Sequence, residues 1–139
     1  MEHLWDSVEV VAESWNLAIK ENSDLEPNLN REILQGRLER QWTKLLPELF
    51  PDLDTDSRRK LMDICFDYEN RYLETHPGVY YEGVMDTLKE LALEYPLFIV
   101  SNCQCGYIEV MMKGAGMEPY IKEFPLLLAR RRLPKTRRF

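Results

Sequence analysis

Residues 96–106 read Pro96-Leu97-Phe98-Ile99-Val100-Ser101-Asn102-Cys103-Gln104-Cys105-Gly106, and this stretch decides the fold. Leu97–Val100 is a short apolar run, unbroken by polar residues, which predicts a parallel strand covered on both faces. It ends abruptly at Ser101-Asn102, and a helix is predicted from Gly106 to about Lys113, stopped by Gly114-Ala115-Gly116. Tyr120 to Glu123 reads as a short turn and Phe124–Ala129 as a second strand. Strand, helix and strand within roughly thirty residues make a right-handed crossover unit.

Upstream, His76-Pro77-Gly78-Val79 reads as a hinge into this unit, followed by a helix over Tyr81–Tyr95 with Val84, Leu88 and Leu91 facing inward. Everything before the hinge is helical in pattern. From Asp6 to about Asn22, Val8, Val11, Trp15, Ala18 and Ile19 fall on one face, and Asp6 or Ser7 can accept from the free amides of the first turn. A second helix is predicted from Asn30 to Gln35, with a break at Gly36. A third spans Arg37–Phe50 with Leu38, Trp42, Leu45 and Leu49 on one side, and Pro47 is expected to end it early. The longest is predicted over Ser57–Thr75, capped by Thr55 or Asp56, with Leu61, Ile64, Cys65, Tyr68 and Tyr72 as its apolar face. These faces need one another, which implies a small antiparallel bundle. Trp15, Trp42 and Tyr72 are read as its core rather than as a binding box. Met111, Met112 and Met117 are read as gap-fillers.

With 139 residues, 45% of them hydrophobic, the chain has the composition of one globular domain or of a small cap with part of a core. Cys65, Cys103 and Cys105 form no framework or zinc spacing and are expected to be reduced thiols. The start has no basic region followed by an apolar run, and no apolar stretch is long enough to span a bilayer. A soluble, cytoplasmic protein is therefore expected. The net charge of −6 is uneven. Arg130, Arg131, Arg132, Lys135, Arg137 and Arg138 supply six of the 18 basic residues, leaving 12 against 24 acidic ones before them, so residues 1–129 carry −12. A basic tail without interleaved aromatics on so acidic a chain does not indicate nucleic acid as a partner.

The segment His76 to Phe124 resembles the second half of a haloacid-dehalogenase-superfamily phosphatase. The resemblance is carried by Pro77-Gly78-Val79, by the helix with Leu88 and Leu91, by Phe98-Ile99-Val100-Ser101-Asn102, and by Gly106-Tyr107-Ile108 with the Gly114–Gly116 break. It is most similar to the branch that includes phosphoglycolate phosphatases, in which a helical cap is inserted between the first and second motifs. Leu4-Trp5-Asp6-Ser7 resembles the tail of the first motif, Asp-x-Asp-Gly-Thr-Leu-x-Asp-Ser. The resemblance implies an α/β fold: a partial Rossmann-like core of parallel strands with flanking helices plus an α-helical cap, mostly helical by residue count. Residues 1–7 would be the remnant of the first motif, 8–75 the cap, 76–129 the partial core and 130–139 the basic tail.

By the same resemblance an Asp would attack a phosphate monoester, and a second Asp two positions later would act as acid and base. Magnesium, a Lys and the second-motif hydroxyl would neutralise the phosphoryl oxygens. Ser101 would supply that hydroxyl, Asn102 would shape the loop, and Lys135 lies at about the family spacing for the Lys. The pattern also departs from the family. Met1 stands where the acid/base Asp belongs, Glu2 and His3 replace the following Gly and Thr, and no acidic residue follows Glu123 to hold magnesium. Asp6 is read as a helix cap. Two functions are therefore expected: a phosphatase of small phosphorylated metabolites impaired by its missing aspartates, or a truncated, non-catalytic relative that binds. An open sheet edge beside Leu97–Ser101 would favour self-association.

Overall fold

The computed structural model describes residues 4–35, 42–101 and 103–122, with Trp42, Thr43 and Leu45 described by their backbone alone. Among these residues the chain runs β1 (Trp5–Asp6), α1 (Val8–Asn22), α2 (Arg31–Leu34), α3 (Trp42–Leu49), α4 (Thr55–Thr75), β2 (Val79–Tyr80), α5 (Val84–Glu94) and α6 (Tyr107–Ala115). The described structure is mostly helical, with a single two-stranded antiparallel sheet, β1 against β2.

The predicted face of α1 is the observed one. Val8, Val11, Ala12, Trp15, Ala18 and Ile19 are buried against Leu61, Met62 and Cys65 of α4, with Leu34 and Phe50 closing the cluster. Each large side chain so removed from water stabilises the packing by about 1.5–3 kcal/mol. On α4 the buried stripe is rotated from the expected one. It runs through Leu61, Met62, Cys65, Glu69 and Leu73, while Ile64, Tyr68 and Tyr72 stay half-exposed. The reason is that α4 serves two clusters, α1 along its first half and α6 along its second, so its inward line follows the i, i+4 series rather than the most apolar residues.

Helix ends depart from expectation in physically plain ways. The cap of α4 is Asp54, one residue before the predicted Thr55 or Asp56, because its carboxylate accepts from the amides of Asp56 at 2.9 Å and Ser57 at 3.0 Å. At α1 it is Asp6 that accepts from Val8 N, at 3.2 Å; the Ser7 hydroxyl is committed elsewhere. Pro47 does not end α3 early. Its ring removes only its own donor, and Phe50 N still reaches Leu46 O at 2.9 Å. Asn30 caps α2 by accepting from Ile33 N, and the expected break at Gly36 lies outside the described residues. Helix α5 begins at Val84 rather than Tyr81, after a turn in which Val84 N bonds Tyr81 O. Gly114 is still helical and α6 stops at Gly116.

The hinge Pro77-Gly78 turns out to be a close approach. A side chain at Gly78 would sit 2.7 Å from Asp6 O and 2.9 Å from the Trp5 ring, so only glycine lets β2 come alongside β1. That pairing, Trp5 opposite Tyr80 and Asp6 opposite Val79, ties together the two ends of the helical unit.

The predicted strand 97–101 is corrected most. Leu97–Val100 forms no multi-residue strand: its pairing is a one-residue parallel bridge, Leu97 to Ile121, closed by Lys122 N donating to Leu97 O at 2.8 Å. Ile121 therefore lies in the bridge rather than in the expected turn, which falls just before it at residues 118–120. Burial is one-sided. Ile99 packs inward on a second cluster built around Trp5, Leu73, Tyr107, Met111 and Met117, whereas Phe98 is 49% and Val100 88% exposed. One covered face requires only alternation, which the fully apolar sequence does not reveal. No parallel multi-stranded core is present among the described residues, and the expected strand 124–129 and the basic tail lie outside them. No helix among the described residues is long and apolar enough to cross a membrane.

Candidate functional site

The second cluster joins the two segments that the motif reading singled out. From β1, Trp5 is fully buried, tilted against Tyr80 with ring centroids 5.3 Å apart and edge-on to Tyr107 at 5.9 Å. Ser7, just beyond β1, shares a buried 2.8 Å hydrogen bond with the Tyr107 hydroxyl, and Tyr80 donates its own to Met111 O at 2.7 Å. From the other side come Ile99 and Cys103, which flank Ser101. Ser101 itself is half-buried. Burial raises the Cys103 thiol above its ordinary range. Burial also pushes the Tyr107 phenol up to about 12. The Trp5 indole N–H finds no partner among the described residues.

The loop between Ser101 and α6 is tied to α4 at two points. Gln104 Nε2 donates to Glu69 Oε1 at 2.7 Å, and Asn70 Nδ2 donates to Cys105 O at 2.9 Å. Gly106 is required beside Asn70, because a side chain there would sit 2.9 Å from Nδ2, and its φ of +90° is left-handed. Glu69 is only 4% exposed, and its other oxygen accepts from Trp15 Nε1 of α1 at 2.7 Å. Burial pushes this carboxyl up to about 7, against the pull of the bonds from Gln104 and Trp15. Sequence reading missed Glu69, Asn70, Gln104 and Tyr107. One signal was available: Glu69 occupies the i+4 series Leu61, Cys65, Glu69, Leu73, an acidic residue on an otherwise apolar line.

Of the predicted site residues, Ser101 lies at this cluster, while Asn102 and Lys135 lie outside the described residues, as do Glu2 and His3. Asp6 is a structural carboxylate. It is gripped by Arg31 at 2.9 and 3.2 Å, and the Arg31 guanidinium holds it below the usual carboxylate range. The magnesium implied by the family resemblance does not fit the described residues. Asp6 and Glu69 are both engaged as above, and no group of three or more His, Cys, Asp or Glu among the described residues is placed to hold a metal. A groove of about 360 Å³ lies at the far end of α1, floored by Ile19, Leu29 and Phe50 and rimmed by Glu26 and Asp52, away from Ser101. No known family, curated protein or solved structure matches this chain.

Proposed function

We propose that this chain is a phosphate-monoester-binding relative of the haloacid-dehalogenase phosphatases, with Ser101 as the hydroxyl that meets the ligand and with no turnover by its described residues. The observation that carries this reading is a convergence. Trp5 and Ser7, from the segment read as the first-motif remnant, and Ile99 and Cys103, on either side of Ser101, meet on one buried cluster, and β1 pairs with β2 across the ends of the helical segment between them. The parallel bridge from Leu97 to Ile121 across α6 is consistent with the expected crossover. The half-buried hydroxyl of Ser101 at this cluster suits a phosphoryl oxygen. A phosphoryl acceptor is a different requirement: it needs a free carboxylate, and Asp6 and Glu69 are both bound by donors.

The test is to titrate the purified chain with inorganic phosphate and to assay an aryl phosphate with magnesium, comparing Ser101→Ala. Phosphate binding that Ser101→Ala abolishes, without hydrolysis above background, is the expected result. Hydrolysis that depends on Ser101 would overturn the non-hydrolytic reading. Binding indifferent to Ser101→Ala would overturn the site.

A further inference from the structure

Three segments meet at Glu69: its own helix α4, α1 through Trp15, and the loop carrying Ser101 through Gln104. We propose that Glu69 is a proton-operated latch between the helical unit and this loop, gripping Gln104 when ionised and releasing or turning it on taking up a proton. The proposal rests on the phosphate-binding reading only in so far as the latched loop is the one that carries Ser101.

The geometry gives the latch its direction. An indole N–H donates and cannot accept, so the oxygen facing Trp15 must remain an acceptor in either state. An incoming proton goes to Oε1, because Gln104 can turn its amide to accept the new O–H and Trp15 cannot; there it opposes the Gln104 N–H across 2.7 Å. Gln104 answers by rotating its amide to present the carbonyl or by withdrawing. Both responses act on the loop and leave α1 in place. The second tether, Asn70 to Cys105 O, has no titrating group and pins the loop just before α6, so the displacement falls on Ser101, Cys103 and Gln104.

The surrounding groups leave Glu69 to act alone near neutrality. On its own helix, burial pushes Cys65 up to about 12, and from α6 Tyr107 is likewise pushed up to about 12. From the loop, burial raises Cys103 as well. Trp15 and Gln104, the direct contacts, carry no charge. Glu69 itself titrates at about 7, so it changes state in the range where these neighbours do not.

The experiment is a pH titration by NMR of the intact chain without ligand. The Trp15 indole N–H signal should shift with a midpoint near neutrality, and the amides of Cys103, Gln104 and Cys105 should follow the same midpoint. Both responses should be lost in Glu69→Gln. In Gln104→Ala, which keeps the Glu69–Trp15 pair, Trp15 should still titrate while the loop amides no longer follow. Loop amides that stay still in the wild-type chain while Trp15 titrates would overturn the latch, as would loop titration undiminished in Gln104→Ala. Sulfate, dianionic throughout, separates the two readings. An affinity that changes severalfold across the same midpoint, and not in Glu69→Gln, links latch and site; a pH-independent affinity breaks that link. Failure of sulfate and phosphate to bind would remove the phosphate reading and leave the latch to the NMR result.

Discussion

Replacing Glu69 by glutamine keeps the shape of the side chain and removes a charge held almost wholly out of water. Its carboxyl ordinarily titrates near 4.5 and is pushed up to about 7 in the fold, with burial as the dominant cause. The folded state therefore holds the proton more tightly than the unfolded chain. The stability this provides is fully present below about pH 4.5 and is lost as pH rises through about 7. At about 1.4 kcal/mol per tenfold difference in proton affinity, the full penalty of ionisation in the fold is about 3 kcal/mol, most of it appearing between pH 5 and 8. Glutamine escapes that penalty. Its carbonyl can accept from Trp15, and its amide can donate to Gln104 once the latter turns. The expected outcome is that Glu69→Gln and wild type differ little near pH 4.5, and that the variant gains about 2–3 kcal/mol over wild type by pH 8. In urea melts that gain is a midpoint difference of about 1 M. The comparison cancels the carboxylates that act in the opposite direction, such as Asp6, whose low titration point favours the fold above the acid range. A stability gap that stays constant from pH 5 to pH 8 would refute the reasoning.

Other substitutions test the packing. Gly78→Ala should destabilise by about 1–3 kcal/mol, because the added carbon meets Asp6 O and the Trp5 ring, and thermal melts would show it. Met111→Ala, at a fully buried position of the second cluster, should cost about 2–5 kcal/mol in chemical denaturation. Trp15→Phe should cost about 1–3 kcal/mol at pH 8 by leaving a buried carboxylate oxygen without its donor, and less at pH 5. Val79, Tyr81, Leu91, Leu93, Tyr95, Phe98 and Val100 are all exposed, with Leu93 at 87%. The chain should therefore associate with its own copies through the 79–100 surface. Leu93→Lys with Val100→Lys should reduce that association in sedimentation while leaving the melting transition near its original place.

The helices of the first half were legible because each carries enough apolar positions at helical spacing to define a face, and a helix satisfies its backbone locally. Val8, Val11, Trp15, Ala18 and Ile19 needed no knowledge of a partner to be placed inward. The caps were legible to within a residue, since Asp54, Thr55 and Asp56 offer the same chemistry and only backbone geometry selects among them. Ser101 was legible as the end of an apolar run. The burial of Leu97–Val100 was not, because a run apolar at every position carries no alternation to tell which side is covered.

By itself, then, the sequence determined where the chain is helical, where it turns, and which residues bear a hydroxyl or a charge. Tertiary structure alone decided what those groups face. Glu69 and Asp6 are the same kind of carboxylate in the sequence, yet one is enclosed between Trp15 and Gln104 and the other is held at the rim by Arg31. The difference is physical. Helix formation depends on neighbours three and four residues away, whereas the state of a charge depends on the water and the donors brought to it by residues as distant as Gln104 is from Glu69.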